Sequence, residues 1–365
     1  MHRALGLAEL GRGLVEPNPM VGCLIVKDGR LIGEGCHRRF GGPHAEVHAL
    51  QAAGDGARGA TMYVTLEPCD HDDKTPACAP VVARAGLRRV VACTLDPTAL
   101  NRGGGMEILG REGMTAEVGL CREEAVRLNA GFFKLAVTGR PLVTAKWAMS
   151  ADGKIATSTG GSRHISSPQS QRLVHELRGR VDCIIVGSRT VERDDPLLTC
   201  REGERRRTAA RLVLCGDRAP AADAQLVRSA DQAPVLLAYP ADRLPDGLSR
   251  LVEAGCEALP VDGGAAGAVD LGRLLDVLGA RRMTNVLVEG GAEVLGSFFD
   301  AALVDRVMVF AAPLVIGGAR AVTAVAGSGV SAVEDALRLQ SSEVTTVGTD
   351  ALISGWAVDP LEWAP

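Results

Sequence analysis

The sequence predicts an α/β protein built as two successive domains. Three observations carry that expectation. Apolar runs of strand length alternate with stretches of helical period along the chain, the pattern of sheets layered with helices. At 365 residues the chain exceeds what one hydrophobic core commonly serves. A long amphipathic stretch is separated from the next strand-like run by Thr138-Gly139-Arg140-Pro141, a combination that ends helices. The expected domains are therefore residues 1–140 and 141–365.

In the first domain, Ala4, Leu5, Leu7, Ala8 and Leu10 fall on one helical face, and Glu16-Pro17-Asn18-Pro19 ends that helix. Residues 21–26 and 31–36 flank Lys27-Asp28-Gly29-Arg30, a hairpin signature. Gly41-Gly42-Pro43 leads into a helix over 44–53. A strand over 61–66 ends at Glu67-Pro68-Cys69. Residues 79–85 and 106–111 read as helices, 89–95 and 115–118 as strands, and 122–137 as one long amphipathic helix.

In the second domain, residues 142–149 form a strand and 150–154 a turn. Ser166 or Ser167 caps a helix that carries Pro168 at its first position and runs to 178. Strands follow at 181–186, 211–214, 234–238 and 285–288, with a short segment from Thr190 to Asp194 among them. Helices are expected at 270–278 and 292–303, a strand at 306–315, and a closing hairpin of 336–347 and 351–358 turning at Gly348. Residues 201–209 and 261–268 read as loops.

Composition narrows the function. A net charge of −4 with 23% charged residues gives no broad nucleic-acid footprint. The apolar runs are too short and too β-branched to span a membrane. Arg3, Glu9, Arg12 and Glu16 exclude a signal peptide at the start, so the expected compartment is the cytosol. Of the ten cysteines, several, such as Cys93 and Cys183, sit in apolar runs and read as buried thiols. Cys69 and Cys78 lie in a polar, proline-marked loop, where burial does not explain them.

His44-Ala45-Glu46, followed by Glu67-Pro68-Cys69 and then Cys78, supplies what a zinc-dependent deaminase needs. Hydrolysing an aromatic amine requires a nucleophile at neutral pH and a proton carrier for departing ammonia. Zinc acidifies water to a pKa of about 7, and three protein ligands leave one position for it. His44, Cys69 and Cys78 are the expected ligands, with Glu46 as the proton shuttle. Between the cysteines stand eight residues, where the general deaminase pattern has two. His48, four residues beyond His44, is the alternative ligand, although Glu46 is misplaced for a metalloprotease helix. Gly103-Gly104-Gly105 lacks the Lys-Ser/Thr of a phosphate loop. In the second half, Gly187-Ser188-Arg189-Thr190 and Glu289-Gly290-Gly291 each leave bare backbone N–H groups at a strand end, and no G-x-G-x-x-G is present.

Several motifs together resemble the family of bifunctional riboflavin-biosynthesis proteins, in which a pyrimidine deaminase is joined to a ribosylaminouracil reductase. In the first half these are Pro17-Asn18-Pro19, Gly35-Cys36-His37, His44-Ala45-Glu46, Thr65-Leu66-Glu67-Pro68-Cys69 and Lys74-Thr75-Pro76-Ala77-Cys78. In the second they are Lys146, Asp152-Gly153-Lys154, Gly187 with Thr190, Asp194-Asp195-Pro196 and Glu289-Gly290-Gly291. The eight-residue cysteine gap is that family's spacing. The resemblance implies a cytidine-deaminase-like three-layer domain followed by a dihydrofolate-reductase-like domain that uses NADPH. It implies deaminase substrate contacts from Asn18, His37, His71 and Lys74. It implies NADPH contacts from Ala148, His164, Thr190, Asp194 and the run Gly291, Ala292, Glu293, Val294, Leu295, Gly296, Ser297. Reductase substrate contacts are implied for Ser162, Arg178, Leu198, Arg201 and Glu289. Lys146 and Glu289 are the candidates nearest the reacting sugar carbon, because reduction needs a hydride on one side and a proton donor or polarising cation on the other.

The implied chemistry is deamination of a diaminopyrimidinone ribosylamine 5-phosphate, then reduction of its ribosyl chain to ribityl. A homo-oligomer through the reductase domain is also implied. Three positions depart from the family: Asp70-His71-Asp72-Asp73 after the first cysteine, Thr98-Ala99-Leu100-Asn101 after Asp96-Pro97, and His164 in place of Trp. The last motivates an alternative reading, an active deaminase whose reductase half has drifted.

Overall fold

The computed structural model describes residues 1–72, 74–99, 101–264 and 267–365. The chain divides into two units, Met1–Gly139 with Pro360–Pro365, and Arg140–Asp359. The closing residues thus group with the first unit, whereas a split into 1–140 and 141–365 would leave them in the second. Arg122 holds them, its Nη2 donating to the carbonyls of Ala364 and Pro365 at 3.3 and 2.8 Å, and Trp363 is buried.

The first unit contains α1 (His2–Glu9), β1 (Gly22–Lys27), β2 (Arg30–Cys36), α2 (Ala45–Ala53), β3 (Thr61–Val64), α3 (Cys78–Arg84) and β4 (Arg89–Ala92). It continues with α4 (Gly104–Arg111), β5 (Thr115–Val118), α5 (Arg122–Leu128) and α6 (Ala130–Thr138). Its five-stranded sheet has the order β2-β1-β3-β4-β5. β1 is antiparallel to β2 and β3, while β3, β4 and β5 run parallel. Ligand-bearing loops leave the carboxyl ends of such parallel strands, and here they lead from β3 to α3 and from β4 to α4.

The long helix expected over 122–137 is instead two, broken at Asn129. The cause is tertiary. Buried Asn129 accepts from the Met20 N–H at 2.7 Å and donates to the Met20 carbonyl at 2.9 Å, pairing both backbone groups of a residue in the segment before β1.

The second unit comprises β6 (Leu142–Ser150), β7 (Lys154–Ala156), α7 (Pro168–Arg178), β8 (Cys183–Gly187), α8 (Ser188–Asp194), β9 (Ala210–Leu214), α9 (Gln225–Arg228) and β10 (Val235–Pro240). It continues with α10 (Leu248–Glu253), β11 (Glu257–Val261), α11 (Leu271–Ala280), β12 (Asn285–Gly290), α12 (Ala292–Asp300), β13 (Arg306–Ala312), β14 (Val322–Thr323), β15 (Gln340–Val347) and β16 (Asp350–Trp356). A nine-stranded sheet runs β11-β10-β9-β8-β12-β6-β13-β16-β15. Its strands are parallel from β11 to β13, and β16 and β15 add an antiparallel edge.

Continuous burial explains why these strands read as unbroken apolar runs: β8 and β10 are buried at every position. Ser167 is the residue that caps α7, accepting from the Ser170 N–H. The segment from Thr190 belongs to α8, and α10 and β11 fill a region where the sequence pattern had indicated no element. The expected loop 261–268 includes Ala265 and Ala266, which lie outside the described residues.

Arg211 is wholly buried in β9. Its guanidinium donates to the carbonyls of Leu197, Ser229 and Ala233 and to Ser229 Oγ, at 3.2, 2.8, 2.5 and 2.7 Å. Replacing Arg211 with Met would remove this donor from the carbonyls of Leu197 and Ala233, while the Ser229 carbonyl keeps the N–H groups of Gln232 and Ala233. Arg211→Met is expected to destabilise the second unit by about 2–4 kcal/mol, measured by urea unfolding; an unchanged midpoint would contradict this account.

Candidate active sites

In the first unit the chemistry-bearing side chains converge where two helices start. His44 is the residue before α2, in extended conformation (φ −75°, ψ 166°), and Cys78 is the first residue of α3. Cys69 follows Pro68 on the loop from β3. The ligand atoms of His44, Cys69 and Cys78 all lie within 4.8 Å of one another. His44 Nδ1 is 3.6 Å from Cys69 Sγ and 3.2 Å from Cys78 Sγ. The other ring nitrogen, Nε2, is 3.2 Å from Thr75 Oγ1, which fixes which nitrogen faces the sulfurs. The Cys78 thiol directs its hydrogen bond at Cys69, pulling the Cys69 thiol down to about 4 and pushing Cys78 up. Two sulfurs and an imidazole at this spacing fit zinc. His48, the alternative ligand, is not part of the cluster.

Glu46 stands in the first turn of α2 and is only 3% exposed. Burial lifts its carboxyl to about 7, His44 opposing the rise and Cys69 adding to it. Among the described residues its Oε2 has no hydrogen-bond partner. The carboxyl is thus held beside the ligand cluster with one oxygen uncommitted.

Glu67 braces the loop that carries Cys69. Its Oε1 accepts from the N–H groups of Asp96 and Gly103, each at 2.8 Å. The glycine run 103–105 belongs to this packing. A Cβ on Gly105 would lie 1.7 Å from the Pro68 carbonyl, so only glycine lets α4 approach the peptide before Cys69.

Of the expected substrate residues, His37 is buried and packs edge-on against His44 with ring centroids 5.2 Å apart. Asn18 Nδ2 is 3.4 Å from His37 Nε2, and His37 Nδ1 is 3.1 Å from the Pro43 carbonyl. His71 pairs with Asp70 at 3.1 Å, and Lys74 Nζ sits 3.5 Å over the Phe40 ring. The acidic run after Cys69 is partly structural. Asp72 accepts from the Ala77 N–H at 2.7 Å, turning the chain toward Cys78, and the Asp70 N–H donates to Asn101. Asp73 and Leu100 lie outside the described residues.

In the second unit a cavity of about 730 Å³ opens at the carboxyl ends of β6, β8 and β12. Its wall includes Lys146, Ala148, Ser162, Arg178, Thr190, Asp194, Glu289 and the run from Gly291 to Leu295. Glu289 is the electrostatic centre. Arg178 grips it with two hydrogen bonds, at 2.6 and 2.8 Å, and Lys146 Nζ approaches at 3.0 Å. Burial alone would raise the Glu289 carboxyl, but the two cations outweigh it and hold it well below the usual carboxylate range. Ser162 Oγ donates to Asp194 at 3.0 Å.

The Gly291 N–H, read from sequence as bare, donates to Thr190 Oγ1 at 2.7 Å. The first-turn N–H groups of α12 beyond it have no intrahelical acceptor, so the wall suits an anionic group. Leu198 and Arg201 line a smaller cavity of about 180 Å³ that shares Arg178. The described lining of the larger cavity does not include His164, Gly296 or Ser297. His164 is exposed at φ +63°, Gly296 is buried against Ala326, and Ser297 bonds the Glu293 carbonyl on the outer face of α12. Sequence reasoning gave no role to Trp147, which lines the cavity and packs edge-on against Phe299. Thr75 also went without a role, for neither residue stands out from its neighbours in the sequence.

Residues 141–353 match the family model described as the RibD C-terminal domain, and residues 1–94 match the cytidine and deoxycytidylate deaminase zinc-binding region. The riboflavin biosynthesis protein RibD of Aquifex aeolicus is 37% identical, over 97% of this chain and 96% of its own. RibD of Escherichia coli is likewise 37% identical, with 97% of each chain covered. Among solved structures, a diaminohydroxyphosphoribosylaminopyrimidine deaminase/5-amino-6-(5-phosphoribosylamino)uracil reductase from Thermotoga maritima superposes with a TM-score of 0.84 at 32% identity, covering 97% of this chain and 96% of that one.

Proposed function

The chain belongs to the RibD family of bifunctional deaminase–reductases in riboflavin biosynthesis, and from that premise we propose its reaction pair and the residues that perform it. The substrate is 2,5-diamino-6-(5-phosphoribosylamino)pyrimidin-4-one. The first unit replaces its 2-amino group with oxygen, and the second reduces the ribosyl chain to ribityl with NADPH. The observation that carries the reading is Glu46, buried beside His44, Cys69 and Cys78 with an uncommitted Oε2.

Zinc, when bound by His44, Cys69 and Cys78, supplies a nucleophilic oxygen at neutral pH. Glu46 takes one proton from the attacking water and passes it to the ring nitrogen, then takes the second from the hydroxyl added to carbon and passes it to the leaving amine, which departs as ammonia. Its own affinity for a proton, raised to about 7 by burial, suits both directions. Thr75 holds the His44 ring in its orientation. Asn18, paired with His37, reads the pyrimidine edge through its donor and acceptor. His71 and Lys74 face the phosphate side, Lys74 as a point charge.

In the second unit NADPH, when bound, supplies the hydride. Thr190, Asp194, Ala148 and the start of α12 hold it, and Arg189 and Arg193 on the cavity wall suit a 2′-phosphate. Lys146 is the proton donor or polarising cation at the opened sugar. Arg178 and Arg201 receive the substrate phosphate, with Ser162, Leu198 and Glu289 beside it.

Among the described residues no helix is long and apolar enough to cross a membrane, and the proposed compartment is the cytoplasm. Neither nucleic acid nor membrane is a proposed partner. The edge strand β15, with Val344 70% exposed, supports a homo-oligomer through the reductase unit.

Mixing the protein with the deaminated intermediate and each nicotinamide cofactor tests the second half. The near-ultraviolet absorbance of NADPH should fall as substrate is consumed, and NADH should be used at least about tenfold less well. Absence of oxidation would favour a drifted reductase, and equal use of NADH would remove the 2′-phosphate assignment.

A further inference from the structure

We propose that the first unit carries a second zinc site, formed by His2, Cys121 and Glu124 and separate from the His44 centre. His2 Nε2 lies 3.6 Å from Cys121 Sγ and 3.8 Å from Glu124 Oε1, and all three ligand atoms fall within 4.8 Å of one another. Zinc bonds of about 2.0–2.3 Å in tetrahedral geometry place ligand atoms roughly 3.3–3.7 Å apart. The His44 centre of the same chain shows 3.6 and 3.2 Å for its nitrogen–sulfur pairs. A direct hydrogen bond from imidazole to carboxylate would instead bring nitrogen and oxygen to about 2.8 Å. At 3.8 Å this separation is too long for that bond and slightly wider than the zinc range, while the His2–Cys121 distance of 3.6 Å falls inside it.

The donor set points to the metal. A thiolate with an imidazole selects zinc over magnesium or calcium, which take oxygen ligands. Cys121 immediately precedes α5 and Glu124 lies in its first turn, so the two project together, three residues apart. His2 opens α1. The ion would therefore tie the first helix to the fifth across 119 residues of sequence.

The side chains of His2 and Glu124 are 83% and 55% exposed, which leaves water free to complete the coordination. Ordering such exposed side chains costs rotamer entropy, so this site binds more weakly than the buried one. Its role is a brace, since no group of the deaminase chemistry lies in the cluster.

Zinc counted on the full-length protein, after loading and exhaustive dialysis against submicromolar zinc, tests the site. Two equivalents per chain are expected. Cys121→Ser and His2→Ala should each retain one equivalent and full deaminase turnover. Cys69→Ser should lose the tighter equivalent together with turnover. In the cobalt-loaded protein the thiolate-to-cobalt charge-transfer intensity should fall by roughly one third in Cys121→Ser, from three sulfur ligands to two. A single equivalent in the unaltered chain, or two equivalents kept by Cys121→Ser with undiminished cobalt intensity, overturns the proposal.

Discussion

Glu46→Gln is expected to lower deaminase turnover by about 10²–10⁴-fold while the protein keeps the zinc held by His44, Cys69 and Cys78. The amide has the shape of the carboxylate and the same hydrogen-bonding reach, but it cannot accept and return a proton. Glu46 is nearly fully buried, and among the described residues its Oε2 has no hydrogen-bond partner, so no protein contact described occupies this oxygen. Because the candidate ligands are the residue before α2, the first residue of α3 and Cys69 on the loop from β3, substitution of a non-ligand leaves the zinc donors in place. Zinc content and deaminase turnover measured on the same sample separate the two effects. Loss of zinc would recast Glu46 as a structural support, and retained turnover would remove it from the mechanism.

The deaminase centre was legible in the sequence because its chemistry demands particular residue types at element boundaries. His44 and Cys78 stand where proline-marked loops enter helices, and such loops announce themselves. What surrounds them was less legible. Nothing about Asn129 signals a helix break, since its partner is the backbone of Met20, 109 residues away. Glycines 103–105 lack the partners of a phosphate loop and carry no other signal in the sequence, whereas Gly104 and Gly105 make room for Asp70 and the Pro68 carbonyl. Short α10 and β11 escape periodicity because a helix of six residues and a strand of five offer too few positions to show one.

In the second unit the alternating helices and strands showed the fold, but individual contacts depended on where turns point. His164 occupies an exposed turn, while an aromatic ring reaches the cavity from Trp147 on β6. A resemblance carries positions across relatives; it does not carry the local backbone that aims each side chain.

Lys146→Met is expected to cut reductase turnover by about 10²–10⁴-fold and to leave deaminase turnover intact. Glu289→Ala should do more, weakening the second unit itself. Lys146 and Arg178 bring two positive charges to one carboxylate, so the buried group carries one net positive charge facing the cavity. That excess suits a phosphorylated sugar and a developing negative charge on its oxygen. Removing the lysine cancels the excess but leaves the Arg178–Glu289 pair whole, so folding should change little. Removing the carboxylate leaves two buried cations without a counter-ion, a change that costs about 3–5 kcal/mol.

The sign of any acid effect follows from the same arrangement. Glu289 is held below its unfolded pKa, so its stabilisation is present above the ordinary carboxylate range and is lost only as pH falls through its depressed folded value. The reductase should therefore show no stability loss from this group between neutral and mildly acidic pH.

Deaminase turnover provides the internal control, since its proposed ligands and shuttle lie wholly in the other unit. A Lys146→Met protein with full deaminase activity, an unchanged urea midpoint and no NADPH oxidation places the lysine in the chemistry. If the midpoint falls as far as in Glu289→Ala, Lys146 is a structural member of the cluster, and the proton donor must be sought elsewhere on the cavity wall.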